Sequence, residues 1–122
     1  MDIDDMDKFI RTIKRKASDR DKAVFGFLIA GLSAEEVVTL KGADVTGQGR
    51  RTQVRGIALG KLSGELIQEH CKNFSQKENF FANKSGSPLT VRTIQLICKR
   101  YALLARIEPE KLTPSVLGKS GL

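Results

Sequence analysis

The chain has no tryptophan, one tyrosine, one histidine, two cysteines and three prolines among its 122 residues, and each scarcity excludes something. With a single histidine, His70, a histidine-rich metal site is excluded, and a Ser-His triad would depend on that one side chain. It falls in a predicted amphipathic helix beside Cys71, with Glu65 and Glu69 nearby, and is read as a surface or partly buried structural histidine. Cys71 and Cys98 lack the spacing of metal ligands and fall in apolar helical patterns, so they read as buried free thiols of a reducing compartment. The few aromatics, six Phe and one Tyr, sit in core-like positions and argue against a platform for stacking single-stranded bases. Long apolar runs are missing too: the longest, Ala23 to Leu32, is too short to cross a bilayer. The first residues, MDIDDMDKF, are acidic where a signal peptide is basic, so the default address is the cytoplasm and no membrane partner is expected.

What is present is positive charge, unevenly spread. The formal net charge is +7. From Val45 to Gly64 there are four cations (Arg50, Arg51, Arg55, Lys61) and no acid; from Asn79 to Ile107 there are five (Lys84, Arg92, Lys99, Arg100, Arg106), again with no acid. Acids crowd the N-terminus and positions 65–78. Such segregation makes a face that attracts phosphate, or simply a basic solvated surface.

The pattern predicts one mainly α-helical domain with a small antiparallel sheet. Asp4 or Asp5 caps a first helix with Met6, Phe9, Ile10 and Ile13 on one side and Lys14-Arg15-Lys16 at its electronegative end. A second runs from about Asp19 to Ala30, apolar all round and so central to the core. Ser33 and Glu36 have the spacing of a capping box for a short third helix ending near Lys41-Gly42. Ala43 to Gly60, rich in glycine, β-branched residues and arginine, reads as short strands joined by glycine turns. A fourth helix spans about Ser63–Asn73. Thr90 caps the clearest helix, with Ile94, Ile97, Cys98, Tyr101, Leu104 and Ala105 at helical spacing, and Thr113-Pro114 opens a last segment. GQGR and GKLSG match neither a P-loop nor a dinucleotide fingerprint.

Three stretches, in order, resemble the catalytic domain of the tyrosine recombinases (phage integrases). RDKAVFGFLIAGLSAEEVVTLKGADV is similar to the family's R-D-x-A, apolar run, G-L-R-x-x-E-L segment. FFANKSGSPLTVRTIQLICKRYALLARI resembles its Phe-rich strand, glycine loop and the helix ending K-R-x-A-x-x-A-G-I, and LTPSVLGKSGL resembles its L-T-P-H-x-L-R-H-S stretch. The resemblance implies a tyrosine-recombinase-like core over residues 1–122 that lacks the C-terminal segment carrying the nucleophile. Family members cleave and rejoin DNA with a tyrosine nucleophile, while two arginines stabilise charge on the scissile phosphate and a lysine and a histidine assist proton transfer.

Position by position, the resemblance predicts a missing active site. The first arginine position is Ser33, the histidine after Thr-Pro is Ser115, the second arginine position is Gly118 and the next histidine position is Lys119. Tyr101, the sole tyrosine, belongs to an apolar helix face. The expectation is a non-enzyme without cofactor or metal that binds duplex DNA through a basic surface. The matching positions are Arg50, Arg51 and Arg55 on the hairpin, Lys84, Thr90 and Arg92 around the loop and helix start, and Lys119. Such contacts give salt-dependent, weakly sequence-selective affinity, suited to regulating recombination or integration. The alternative is a protein-interaction module that docks a recombinase partner or self-associates through the groove left by the absent C-terminal segment.

Overall fold

In the computed structural model, residues 2–47, 52–70, 80–81, 89–120 and 122 are described. Helix α1 (Ile3–Lys16) is capped by Asp2, whose Oδ1 accepts from the Asp5 N–H at 2.8 Å. The helix therefore begins earlier than the expected Asp4 or Asp5, which lie in its first turn and complement the positive end of the dipole. Phe9 and Ile13 are fully buried.

Ser18 caps α2 (Asp19–Ile29), and every residue from Ala23 to Ile29 is buried. This is the central helix. It packs most extensively on α4 (Lys61–Ile67) and also meets α6 (Pro114–Gly118) and α3 (Ala34–Val38). Phe25 and Phe27 lie two positions apart and point to opposite sides. Phe25 meets Phe9 and Tyr101 edge-on at 5.0 and 5.4 Å, whereas Phe27 meets Phe80 and Phe81 at 5.3 and 5.8 Å. Edge-on pairs add about 0.5–1.5 kcal/mol each beyond the area they bury.

Helix α2 ends in a Schellman motif: Gly31 takes φ +107, its N–H donates to Leu28 O, and the Leu32 N–H donates to Phe27 O. The expected capping box then opens α3. Ser33 Oγ accepts from the Glu36 N–H at 3.2 Å, and Glu36 Oε1 accepts from the Ser33 N–H at 3.0 Å. The helix stops at Val38 rather than near Lys41-Gly42. Its Val37-Val38-Thr39 run is β-branched and a poor helix former, and a 3-10 turn over Gly42–Asp44 follows.

The sheet is antiparallel, in the order β1 (Val45–Thr46), β2 (Gln53–Val54), β3 (Ile57–Ala58), with Val45 opposite Val54 and Val54 opposite Ile57. Arg55 and Gly56 alone join β2 to β3, at φ 49 and 80, the two positive values a type I′ connection requires. Helix α4 begins at Lys61, not Ser63, because Ser63 and Gly64 are needed in the contact with α2 and are buried there. The helix ends at Ile67, with Gln68 as its C-cap, rather than near Asn73, so His70 lies past the helix and not in it.

Thr90 caps α5 (Val91–Leu104), whose Ile94, Ile97, Cys98, Tyr101 and Ala102 are buried. Leu104, expected on that apolar face, is 45% exposed. It stands in the last turn, at the edge of the buried arc. Thr113 caps α6, which buries Leu117. Among the described residues no helix is long and apolar enough to cross a membrane.

Candidate functional site

The caps that start α3, α5 and α6 bring together residues from opposite ends of the chain. The α2–α3 turn, the start of α3, the first turn of α5 and most of α6 surround an open cleft of about 500 Å³. Ser33, Ser115, Gly118 and Lys119 all line it. Glu35 and Lys119 are its charged residues, and Val91 and Gln95 of α5 form the opposite wall. Gly118 approaches the end of α2 closely enough that a Cβ there would sit 3.6 Å from Leu28 O, an ordinary contact.

The chemistry available in this cleft is limited. Ser33 Oγ is engaged with the Glu36 N–H. The Glu36 carboxyl is held below its usual value, first by the Ser33 backbone N–H and then by the Ser33 side chain, which makes it a weak base. Among the described residues no histidine, cysteine, tyrosine or arginine lines the cleft. Tyr101 lies elsewhere, buried, with its hydroxyl donating to Asp21 Oδ2 at 2.8 Å. Burial, and then the Asp21 hydrogen bond, push its pKa up to about 12. Burial raises the Cys98 thiol to about 12 as well, whereas Cys71 lies outside the described residues. His70 is half-buried, with Nε2 2.8 Å from Phe80 O and its ring stacked on Phe81 at 5.0 Å, a packing role. Among the described residues no group of three or more His, Cys, Asp or Glu is placed to hold a metal ion.

The predicted DNA-binding residues fall in several places. Arg50, Arg51 and Lys84 lie outside the described residues. Lys119 is exposed on the cleft, and Arg92 is exposed on α5 next to Val91 of the cleft wall. Thr90 is exposed too, but its Oγ1 accepts the Thr93 N–H at 3.2 Å and so completes a cap. Arg55 sits apart on the hairpin turn. Its guanidinium is 3.6 Å from Asp44 Oδ2 and reaches Thr39 Oγ1 at 3.4 Å. Of the described predicted cations, then, Lys119 enters the cleft and Arg92 flanks it.

A denser cluster of positive charge went unread in the sequence. A second cleft, of about 300 Å³, lies between α1 and the end of α5 and is lined by Lys8, Arg11, Arg15, Lys16 and Arg106 together with Thr12, Leu104 and Ala105. The signal was the spacing of Lys8, Arg11 and Arg15, one helical stripe on the side of α1 away from Phe9 and Ile13. Comparison of the chain with protein-family models, with curated proteins and with solved structures finds no significant match.

Proposed function

We propose that this chain is a catalytically inactive, tyrosine-recombinase-like protein that binds duplex DNA through the face formed by the first cleft and the start of α5, with the hairpin arginines as separate contacts, and so regulates recombination or integration. The observation that carries the reading is the convergence of Ser33, Ser115, Gly118 and Lys119 on one cleft. These are the positions at which the resemblance places two arginines and two histidines around a phosphate. A phosphoryl-transfer centre of that kind needs preorganised guanidiniums and an activated nucleophile. Among the described residues the lining offers one ammonium (Lys119) and three hydroxyls (Ser33, Thr113 and Ser115) beside one carboxylate (Glu35), a set that can contact a phosphate but has no guanidinium to stabilise its cleavage.

The test is fluorescence anisotropy of a labelled duplex across a salt series. Affinity is expected to fall steeply with salt. The slope is expected to drop by about two in Arg92→Ala/Lys119→Ala, and by a similar amount in Arg50→Ala/Arg51→Ala, since each phosphate contact contributes about one. Equal slopes for wild type and both variants would remove this face from the DNA-binding reading.

A second reading, association between copies of this chain, is favoured by the outer side of α5. Leu96 and Leu103 there are 53% and 61% exposed, in a shallow cleft with Leu104, Lys99 and Arg100. The start of α1 offers a complement, with Ile3 77% exposed among Asp4, Asp5 and Asp7. Sedimentation equilibrium is expected to show a concentration-dependent dimer that Leu103→Glu dissolves. A wild-type monomer at all concentrations would discard this reading.

A further inference from the structure

We infer that the cleft between α1 and the end of α5 is a second phosphate-binding site, one that takes the phosphodiester backbone of duplex DNA. It shares the DNA-binding reading above but occupies a different surface. Val91 lines the first cleft and Leu104 the second, which at about 1.5 Å per residue puts them roughly 20 Å apart along α5.

The charge balance comes first. Among the described residues five cations line this cleft and no carboxylate does. None of the five is paired with a carboxylate among the described residues. Helices α1 and α5 both end here, and cations near a helix C-terminus are commonly explained by the dipole. Each end contributes about half a negative charge, so two ends account for roughly one of the five cations. Asp4 and Asp7 stand four residues before Lys8 and Arg11 and offset part of those two charges, but no acid stands so before Arg15, Lys16 or Arg106, and the like-charge neighbours Lys8/Arg11 and Arg11/Arg15, three and four residues apart, oppose the helix that carries them.

Backbone conformation supplies a second, independent observation. Helix α5 ends in the same Schellman motif as α2: the Arg106 N–H donates to Leu103 O at 3.2 Å and the Ile107 N–H to Ala102 O at 2.8 Å. At α2 the left-handed position is Gly31, as the motif favours, whereas at α5 it is Arg106, at φ 59. An L-residue in this region is strained, and glycine would relieve the strain. Arginine there carries a conformational cost and places a guanidinium on the wall of the basic cleft. Strain held at one position beside concentrated like charge marks a binding site rather than a solvated face.

The arrangement also selects the ligand. Lys8 to Arg15 spans about 10 Å of helix, along which one strand of a duplex carries about three phosphates. Lys8, Arg11 and Arg15 form a row along α1, with Arg106 at the end of α5 on the same cleft, which suits a chain of phosphodiesters better than a single anion. Among the described residues no aromatic side chain lines the cleft, consistent with contacts to the backbone alone.

Arg106→Gly separates binding from folding. It is expected to raise Tm by about 2–5 °C through relief of strain, while lowering the salt slope of duplex binding by about one. Arg11→Ala/Arg15→Ala is expected to lower that slope by about two. Unchanged slopes in both cleft variants, with a reduced slope in Arg92→Ala/Lys119→Ala, would overturn this site and leave the proposed function standing. Reduced slopes in the cleft variants alone would establish this site and remove the first face. A wild-type protein that binds no duplex at low salt overturns both, and one that binds anionic phospholipid vesicles but no duplex overturns the choice of nucleic acid.

Discussion

Gly26→Val is expected to destabilise the protein by about 3 kcal/mol and to lower its Tm by roughly 10 °C. Gly26 lies at the contact of α2 with α4, the most extensive between the described elements. A Cβ built there would stand 2.7 Å from Ile67 Cγ2, 3.0 Å from the Ser63 carbonyl oxygen and 3.2 Å from Leu66 Cβ. The Ile67 methyl belongs to a fully buried, β-branched side chain in a helix and has little freedom to turn aside. The Ser63 carbonyl is backbone inside a helix and yields only if α4 moves. Moving α4 loosens Leu66 and Ile67, both buried against α2. Alanine recovers up to about 1 kcal/mol of helix propensity over glycine, so Gly26→Ala should cost less, about 1–2 kcal/mol net. Gly60→Ala is the control, because a Cβ there meets nothing within 4 Å. Thermal melts of the three variants decide the matter: equal Tm values would mean that α4 is not held against α2 at this distance.

Much of this packing was legible in the sequence, and the part that was not has identifiable causes. An uninterrupted apolar run made α2 central, and Ser33 with Glu36, Thr90 and Thr113-Pro114 announced three helix starts through side chains suited to capping. The close approach at Gly26 carried no local signal, since a glycine inside a helical pattern looks the same whether it faces solvent or another backbone. The start of α1 was ambiguous because Asp2, Asp4 and Asp5 are all competent caps, and only the geometry selects Asp2. The meeting of Ser33 with Ser115, Gly118 and Lys119 depends on tertiary contacts of α2 with α3 and α6. Periodicity does not encode such contacts, and only the resemblance led to an expectation that these positions belong together.

Electrostatics failed for a different reason. Summed along the chain, the first residues look acidic, because Asp2, Asp4, Asp5 and Asp7 offset the lysines and arginines that follow. Wound into α1, the acids gather at its N-terminal end while Lys8, Arg11 and Arg15 run along one side toward the other end. A linear tally averages over this separation. Arg106 was counted as one cation among five in a basic stretch, and its left-handed conformation became visible only with the backbone.

Asp21→Ala is expected to cost about 2–3 kcal/mol, chiefly because it leaves the buried Tyr101 hydroxyl without its acceptor, the partly exposed Arg20 keeping its hydration. The Asp21 side chain is nearly inaccessible. Its Oδ1 accepts from Arg20 Nε at 3.1 Å and Nη2 at 2.9 Å, and its Oδ2 accepts from the Tyr101 hydroxyl at 2.8 Å. This bond ties α2 to α5 through the same ring that packs edge-on against Phe25. Removing the carboxylate leaves the phenol buried without its acceptor. Tyr101→Phe leaves a buried carboxylate oxygen without its donor, at about 1.5–3 kcal/mol. In a double-mutant cycle the two losses should overlap by about 1.5–3 kcal/mol, whereas additive losses would mean the hydrogen bond contributes nothing to stability. The pH dependence gives a further check. Tyr101 ionises near 12 in the folded protein against 10.0 for a free tyrosine, so the folded state holds its proton longer. The resulting stabilisation is complete below about pH 10 and is lost as pH rises toward 12. The stability gap between wild type and Tyr101→Phe should therefore stay constant from pH 7 to pH 9 and close above pH 10; a gap that holds to pH 12 would place the phenol in contact with solvent rather than with Asp21.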